Sequence, residues 1–229
     1  DTFGFIAETQ PDEWAKFAGT QPSEAAARTE FTKRLVSEIN QRGTVAVPRH
    51  GIKGWGRRFK LCSFRPAHGL TPELSVAYDA NRAVVTRQQR YTSANTNTLD
   101  LCLFLNGLPV ATLELKNPLT GQTVENAKSQ YRTDRDPKDM FLSKRAVVHF
   151  AVDPHLVFMT TRLAGAKTRF LPFNRGHDHH AGNPPAADGK HATAYLWEDV
   201  LTRDRLIDLV GRFIHTEIDE TGSATGTVI

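Results

Sequence analysis

In the segment Asn97–Lys116 an acid, Asp100, precedes one short apolar run, and an acid and a lysine, Glu114 and Lys116, close a second. Between the runs lies Asn106-Gly107, the dipeptide that most strongly signals a β-hairpin. Such a hairpin gathers two carboxylates and one ammonium among apolar neighbours. Burying those charges is costly unless a cation or a substrate compensates. Two carboxylates suit a hard divalent metal, and a nearby lysine suits a phosphate or an attacking water. Together they form a set suited to hydrolysing phosphodiester bonds.

The spacing alone is weak evidence. A Glu-x-Lys triplet arises about once by chance in a chain of ordinary composition and this length, and a salt bridge at a solvated strand end would explain it. The flanking runs argue for burial. Leu101–Leu105 and Val110–Leu113 have almost no polar alternation, so both faces of each strand are expected inside. Acids there need partners. Register gives a sharper expectation. A two-residue Asn106-Gly107 turn with an unbroken ladder sends Asp100 and Glu114 to opposite sides of the sheet. A three-residue loop, Asn106–Leu108, or a bulge puts them on one side.

The elements that must position this hairpin can be read from periodicity. Residues 11–19 read as a short helix, and residues 22–41 as a longer one with Ala27, Phe31, Leu35 and Ile39 as its buried stripe. Pro22 suits its first turn and Gly43 its stop. Residues 44–47, 59–64, 83–89, 146–152, 156–161 and 169–173 read as strands, and 72–78 as a helix. Thr120 and Thr123 offer caps for a helix reaching about Arg132. A last helix is expected over residues 198–217, and residues 220–229 read as a disordered tail or linker. The expectation is one mixed α/β domain over residues 1–219, with helices flanking a mostly antiparallel or mixed sheet.

The sequence has 229 residues and a formal net charge of +4, which permits a polyanionic partner without demonstrating one. Cys62 and Cys102 are the only cysteines, too few for a disulfide framework, so a reducing compartment is the default. No apolar run reaches the ~20 residues needed to span a bilayer, and no signal peptide is visible at the N-terminus. These features favour a cytoplasmic protein with no membrane partner. There is no G-x-x-x-x-G-K-[ST] phosphate loop.

The acidic hairpin resembles the core of PD-(D/E)XK nucleases, in which an Asp and a Glu-x-Lys lie on adjacent strands; Leu99 stands here in place of the proline. The resemblance extends along the chain. The segments Thr98–Val110, Glu114-Leu-Lys-Asn-Pro118, Thr120–Glu125 and Gln130–Pro137 are similar to the N-terminal nuclease region of type I restriction endonuclease R subunits. So are His149–Asp153, Met159–Gly165, Phe170–Gly176 and Tyr195–Glu198. The resemblance implies a restriction-endonuclease-like core and Mg2+ held by Asp100, Glu114 and the Leu115 carbonyl. It implies a catalytic role for Lys116, with Gln130 as a further site residue. Some relatives carry Gln-x-x-x-Tyr on the following helix; here Asp134 takes that last position and Tyr131 adjoins Gln130. Arg132 and Arg135 are candidates for holding DNA phosphates, or ordinary surface charges. The family implies double-stranded DNA as substrate, modification and specificity subunits as partners, and ATP use by a motor domain outside this sequence. The rival reading is a docking module with a nuclease-like fold that binds DNA or subunits without cutting.

Three further features invite function. Lys53, Trp55, Arg57 and Arg58 sit among glycines in residues 49–58, and would suit a nucleic-acid backbone or a solvated loop with Trp55 as a lid. Arg162, Lys167, Arg169 and Arg175 would suit a DNA channel or a basic surface. His177, His179 and His180 suggest zinc, yet no cysteine is near, and a surface loop is the simpler reading.

Overall fold

A computed structural model describes residues 1–186, 189–218 and 224–228, with side chains placed through residue 215 outside residues 187 and 188. The chain runs through α1 (Thr2–Thr9), α2 (Pro11–Ala18), α3 (Glu24–His50), β1 (Ile52–Gly54), β2 (Arg57–Phe59), α4 (Pro72–Asp79) and β3 (Ala83–Arg90). It continues with β4 (Thr98–Leu105), β5 (Leu108–Leu115), α5 (Val124–Thr133), β6 (Val148–Val152), β7 (Val157–Thr160) and β8 (Leu171–Pro172). It closes with α6 (Arg203–Asp208), β9 (His215–Ile218) and β10 (Ala224–Val228). The expected mixed α/β class is present, with a six-stranded sheet ordered β3-β4-β5-β6-β7-β8. β5 and β6 pair in parallel, and β6–β7 and β7–β8 pair antiparallel. The chain divides into two compact units.

One unit comprises residues 1–84, 104–108 and 206–229. Its core is built on α3, whose cap Ser23 accepts a hydrogen bond from the Ala26 N–H and whose Ala27, Phe31, Leu35 and Ile39 are buried. Gly43, at φ 81°, interrupts the helix as expected, but helical structure resumes and runs to His50. Residues 44–47 are therefore helical, not a strand. Burial of Val45 and Val47 outweighs the weak β preference of a four-residue segment. Arg49 secures this end by donating to the Val210 and Ile214 carbonyls at 2.6 and 2.5 Å.

Residues 52–59 fold as the β1–β2 hairpin, and of the expected strand over 59–64 only Phe59 lies in a strand, the last residue of β2. The turn places Trp55 and Gly56 at φ 54° and 71°. The Trp55 ring lies 4.1 Å from Phe17 and 6.0 Å from Phe31, so the indole belongs to the core as a lid. Arg57 pairs with Glu13, and Arg58 donates to the His50 carbonyl.

The expected long C-terminal helix is split. Leu201 and Ile214 donate to carbonyls five residues back, Leu196 and Leu209, and these wide turns break the i-to-i−4 pattern on either side of α6. β9 pairs antiparallel with β10, so residues 224–228 of the expected tail form a strand; residues 220–223 and 229 lie outside the described residues. Among the described residues no helix is long and apolar enough to cross a membrane.

The β4–β5 connection is a two-residue turn with Asn106 at φ 51° and Gly107 at φ 82°. Asn106 is fully buried. Its Oδ1 accepts from the Arg82 N–H at 2.7 Å, and its Nδ2 donates to the Leu61 carbonyl at 2.9 Å and to Asn81 Oδ1 at 2.8 Å. Asparagine is thus selected twice, for a left-handed backbone and for three buried hydrogen bonds. Asn106→Ala should lower the unfolding free energy by about 3 kcal/mol, measured by urea denaturation. A loss below about 0.5 kcal/mol, the range of ordinary surface substitutions, would show that these bonds do not hold the turn.

Candidate functional site

The other unit comprises residues 85–103 and 109–205 and holds every residue of the acidic site. β5 is buried along nearly its whole length. On one face, Thr112 and Glu114 lie beside their β6 neighbours, His149 and Ala151. Helix α5 contributes to that core through Val124 and Ala127, which cluster with Ala151. Its start is fixed twice. Thr123 and Asn126 form a reciprocal capping box, and the buried Asp153 carboxylate accepts the Val124 N–H at 2.8 Å.

Below Glu114 runs a buried polar chain. Thr112 Oγ1 lies 2.8 Å from the Tyr131 hydroxyl and 2.7 Å from His149 Nδ1, and His149 Nε2 lies 3.1 Å from the Leu142 carbonyl. A carbonyl only accepts, so Nε2 carries the ring proton. Nδ1 then accepts from Thr112, which accepts from Tyr131. Burial pushes His149 down to about 4 and Tyr131 well above its usual value, so both are neutral. Tyr131 is therefore a core residue here, with its hydroxyl tied to Thr112.

Glu114 is fully buried. Its Oε1 accepts from Arg135 Nε at 2.9 Å and Arg135 Nη2 at 2.7 Å. Its Oε2 is buried and has no hydrogen-bond partner. Burial pushes the carboxyl up to about 7; Arg135 and Lys116 pull it down, and the Asp100 charge adds to the rise. Asp100 is half-buried. Its Oδ2 accepts the Leu115 N–H at 2.8 Å, and its Oδ1 accepts from Gln88 Nε2 at 3.2 Å. The Lys116 N–H bonds the Val152 carbonyl of β6. Successive strand amides point to opposite sides, so the Leu115 N–H faces β4, from which Asp100 reaches it.

The three-residue loop expected to bring the acids together is absent. An unbroken ladder from the observed turn would separate them. In β4 the adjacent Cys102 and Leu103 are both buried, so the strand is covered on both faces. Asp100 ends on the amide next to Glu114 and within electrostatic reach of its carboxyl. Asp100, Glu114, Leu115 and Lys116 are thus gathered. Gln130, on α5, has its Oε1 buried without a partner. The two arginines are placed differently from a pair of surface phosphate contacts. Arg135 is buried against Glu114, and Arg132 lies over the Phe170 ring and donates to the Thr168 carbonyl. Gln88 was invisible to pattern reasoning, because a glutamine in a polar stretch carries no signal. It stands at φ 49° inside β3 and accepts from Thr98 Oγ1 while donating to Asp100. That backbone region is uncommon for a non-glycine residue and concentrates at functional sites.

The donor set fits a hard cation. The two carboxylates, one of them with its Oε2 buried and unpartnered, supply oxygen only. Among the described residues no group of three or more His, Cys, Asp or Glu is placed to hold a metal. An ion here would rely on one or two carboxylates, neutral oxygens and water, as Mg2+ does. The His177–His180 segment is instead a tight turn closed by reciprocal backbone bonds. Cys102 is a free thiol, buried and pushed up to about 12.

Residues 59–169 match the family model described as the type I restriction enzyme R protein N terminus, HSDR_N. The match spans the acidic hairpin, Gln130 and the Thr112–Tyr131–His149 chain. No curated protein matches the chain.

The Glu114 carboxyl titrates at 4.5 when free and near 7 when buried. Between those values the folded protein binds the additional proton, so its stability falls as pH rises and levels off above about 7. The expected contribution is a drop of about 3 kcal/mol across that window. Denaturant unfolding of the metal-free protein from pH 4.5 to 8 should show this slope flattened in Glu114→Gln. An identical slope in the variant would contradict the burial effect.

Proposed function

From a chain whose residues 59–169 match the family model of the type I restriction enzyme R protein N terminus, we propose a Mg2+-dependent endonuclease domain that hydrolyses DNA phosphodiester bonds. The observation that carries this reading is Glu114: a buried carboxylate with one unpartnered oxygen, beside Asp100 and Lys116. A purely structural acid would have both oxygens satisfied. Asp100, Glu114 and the Leu115 carbonyl would hold Mg2+, which when bound acidifies water and neutralises charge on a phosphate.

The protein's own groups do the rest. The charge of Lys116 acts on Glu114, so its ammonium lies within reach of the same space. There it orients the attacking water and offsets the negative charge that develops on the phosphate. Gln130 Oε1 would accept a hydrogen bond from a water and so fix its orientation. Gln88 and the Leu115 N–H hold Asp100. The buried chain below Glu114 keeps α5 seated, and with it Gln130. Within the type I system the domain would cut unmodified DNA in the cytoplasm, together with modification and specificity subunits and an ATP-driven motor.

A plasmid-nicking assay of the R subunit assembled with its partners, Mg2+ and ATP tests this reading. Asp100→Ala, Glu114→Ala and Lys116→Ala should each lower cleavage by at least about 100-fold, with ATP hydrolysis and complex assembly retained. Nicking at the wild-type rate by any of the three would refute its role. Wild-type rates in all three would make the domain a docking module.

A further inference from the structure

We propose that Arg135 is the positioning residue of this site: it fixes Glu114 as a one-oxygen ligand and ties it to the strand that carries Asp100. The inference rests on the metal-dependent reading above and adds to it how the ligand set is held in shape.

Arg135 follows α5 by two residues and is almost fully buried, 5% exposed. It donates in two directions. Nε and Nη2 converge on Glu114 Oε1, and Nη2 also donates to the Thr98 carbonyl at 2.8 Å. Thr98 opens β4, two residues before Asp100. One guanidinium therefore bridges the strands that bear the two carboxylates. Asn97 Nδ2 adds a contact to the Asp134 carbonyl at 3.3 Å, so residues 134 and 135 grip the start of β4 together. The guanidinium is further held over the Tyr91 ring, 5.6 Å from its centroid.

The pattern on the carboxylate separates this role from simple charge pairing. An arginine that only neutralises a buried carboxylate reaches its best geometry fork to fork, one nitrogen on each oxygen. Here both nitrogens lie on Oε1, and Oε2 is left buried and bare. Burying an acceptor without a partner is unfavourable, so the arrangement makes sense where another group takes Oε2. The bare oxygen belongs to the same acid whose neighbours are Asp100 and Lys116. Arg135 thereby holds Glu114 with one oxygen presented.

Lysine should not replace this arginine. A single ammonium cannot reproduce two converging bonds and a third to Thr98 with a fixed planar fork. Groups that orient metal ligands typically change metal affinity by about 10- to 100-fold when removed.

Mn2+ binding, followed by electron paramagnetic resonance on the metal-free chain, provides the readout without relying on cleavage. Wild type should bind, and Glu114→Gln should not. Arg135→Lys should bind about tenfold more weakly and Arg135→Met up to about 100-fold more weakly, each with cooperative thermal unfolding retained. Folded Arg135 variants that bind Mn2+ as wild type does would overturn the inference while leaving the metal site standing. A wild type that binds no Mn2+ at millimolar concentration would overturn the metal reading itself, and the inference with it. A crystal structure of wild type with Mn2+ needs no variant. Mn2+ on Oε2 with Arg135 still on Oε1 supports the inference, and Mn2+ chelated by both oxygens or an Arg135 displaced from Glu114 overturns it.

Discussion

The burial of the Glu114 carboxylate is the constraint around which this unit is arranged. Removing a carboxylate from water costs several kcal/mol even after relaxation, and a paired cation repays it only with good geometry. Arg135 supplies the charge, but a guanidinium can be buried only if its own donors are used. One is spent on the Thr98 carbonyl and two on Glu114 Oε1. The pair therefore demands that the end of β5, the start of β4 and the turn after α5 meet at one point. The sheet order follows the same demand, with β5 between β4 and β6 and lined by buried residues.

The polar chain beneath that point has a matching logic. Thr112, His149 and Tyr131 would be liabilities if any one lacked a partner. Each is satisfied, and the terminal acceptor is the Leu142 carbonyl. The chain locks the C-terminal half of α5 against β5 and β6, while Asp153 and the capping box lock its N-terminus. A helix held at both ends presents Gln130 at a fixed height. The directional bonds specify where α5 sits, which apolar contacts such as Ala127 against Ala151 do not do alone.

Much of this was legible in the sequence. The apolar runs around Asn106-Gly107 indicated a buried hairpin, and the structure has one, because run length and turn chemistry act locally. The stripe of α3 and the caps of α5 were readable for the same reason. Residues 44–47 were not, since short β-branched segments take their structure from the core they meet. The turn itself shows the limit of register reasoning. The connection is a two-residue turn where a three-residue loop was expected, and an apolar run in which every residue looks buried does not fix the face that each side chain takes. Arg135 was undervalued because a lone arginine after a helix looks like surface. Its partner is 21 residues away, and nothing in either residue type announces a buried pair.

The two acids of the site are not equivalent, and the difference bears on how such a site works. Asp100 is half-buried and has a donor on each oxygen. Glu114 is fully buried, with two donors on one oxygen and none on the other. A carboxylate whose oxygens are both hydrogen-bonded is already oriented and can accept a cation on its remaining lone pairs with little rearrangement. A buried carboxylate with one bare oxygen is poised differently. Its unmet demand is answered only when a cation or a proton arrives, and its upward shift to about 7 expresses the proton's claim. On the proposed metal-dependent reading, a cation would compete with the proton for that oxygen near neutrality, and the positive charges of Arg135 and Lys116 disfavour the proton. They would also repel a divalent ion and so moderate its affinity. Weak, well-oriented binding suits a cation that must retain water in its shell for chemistry.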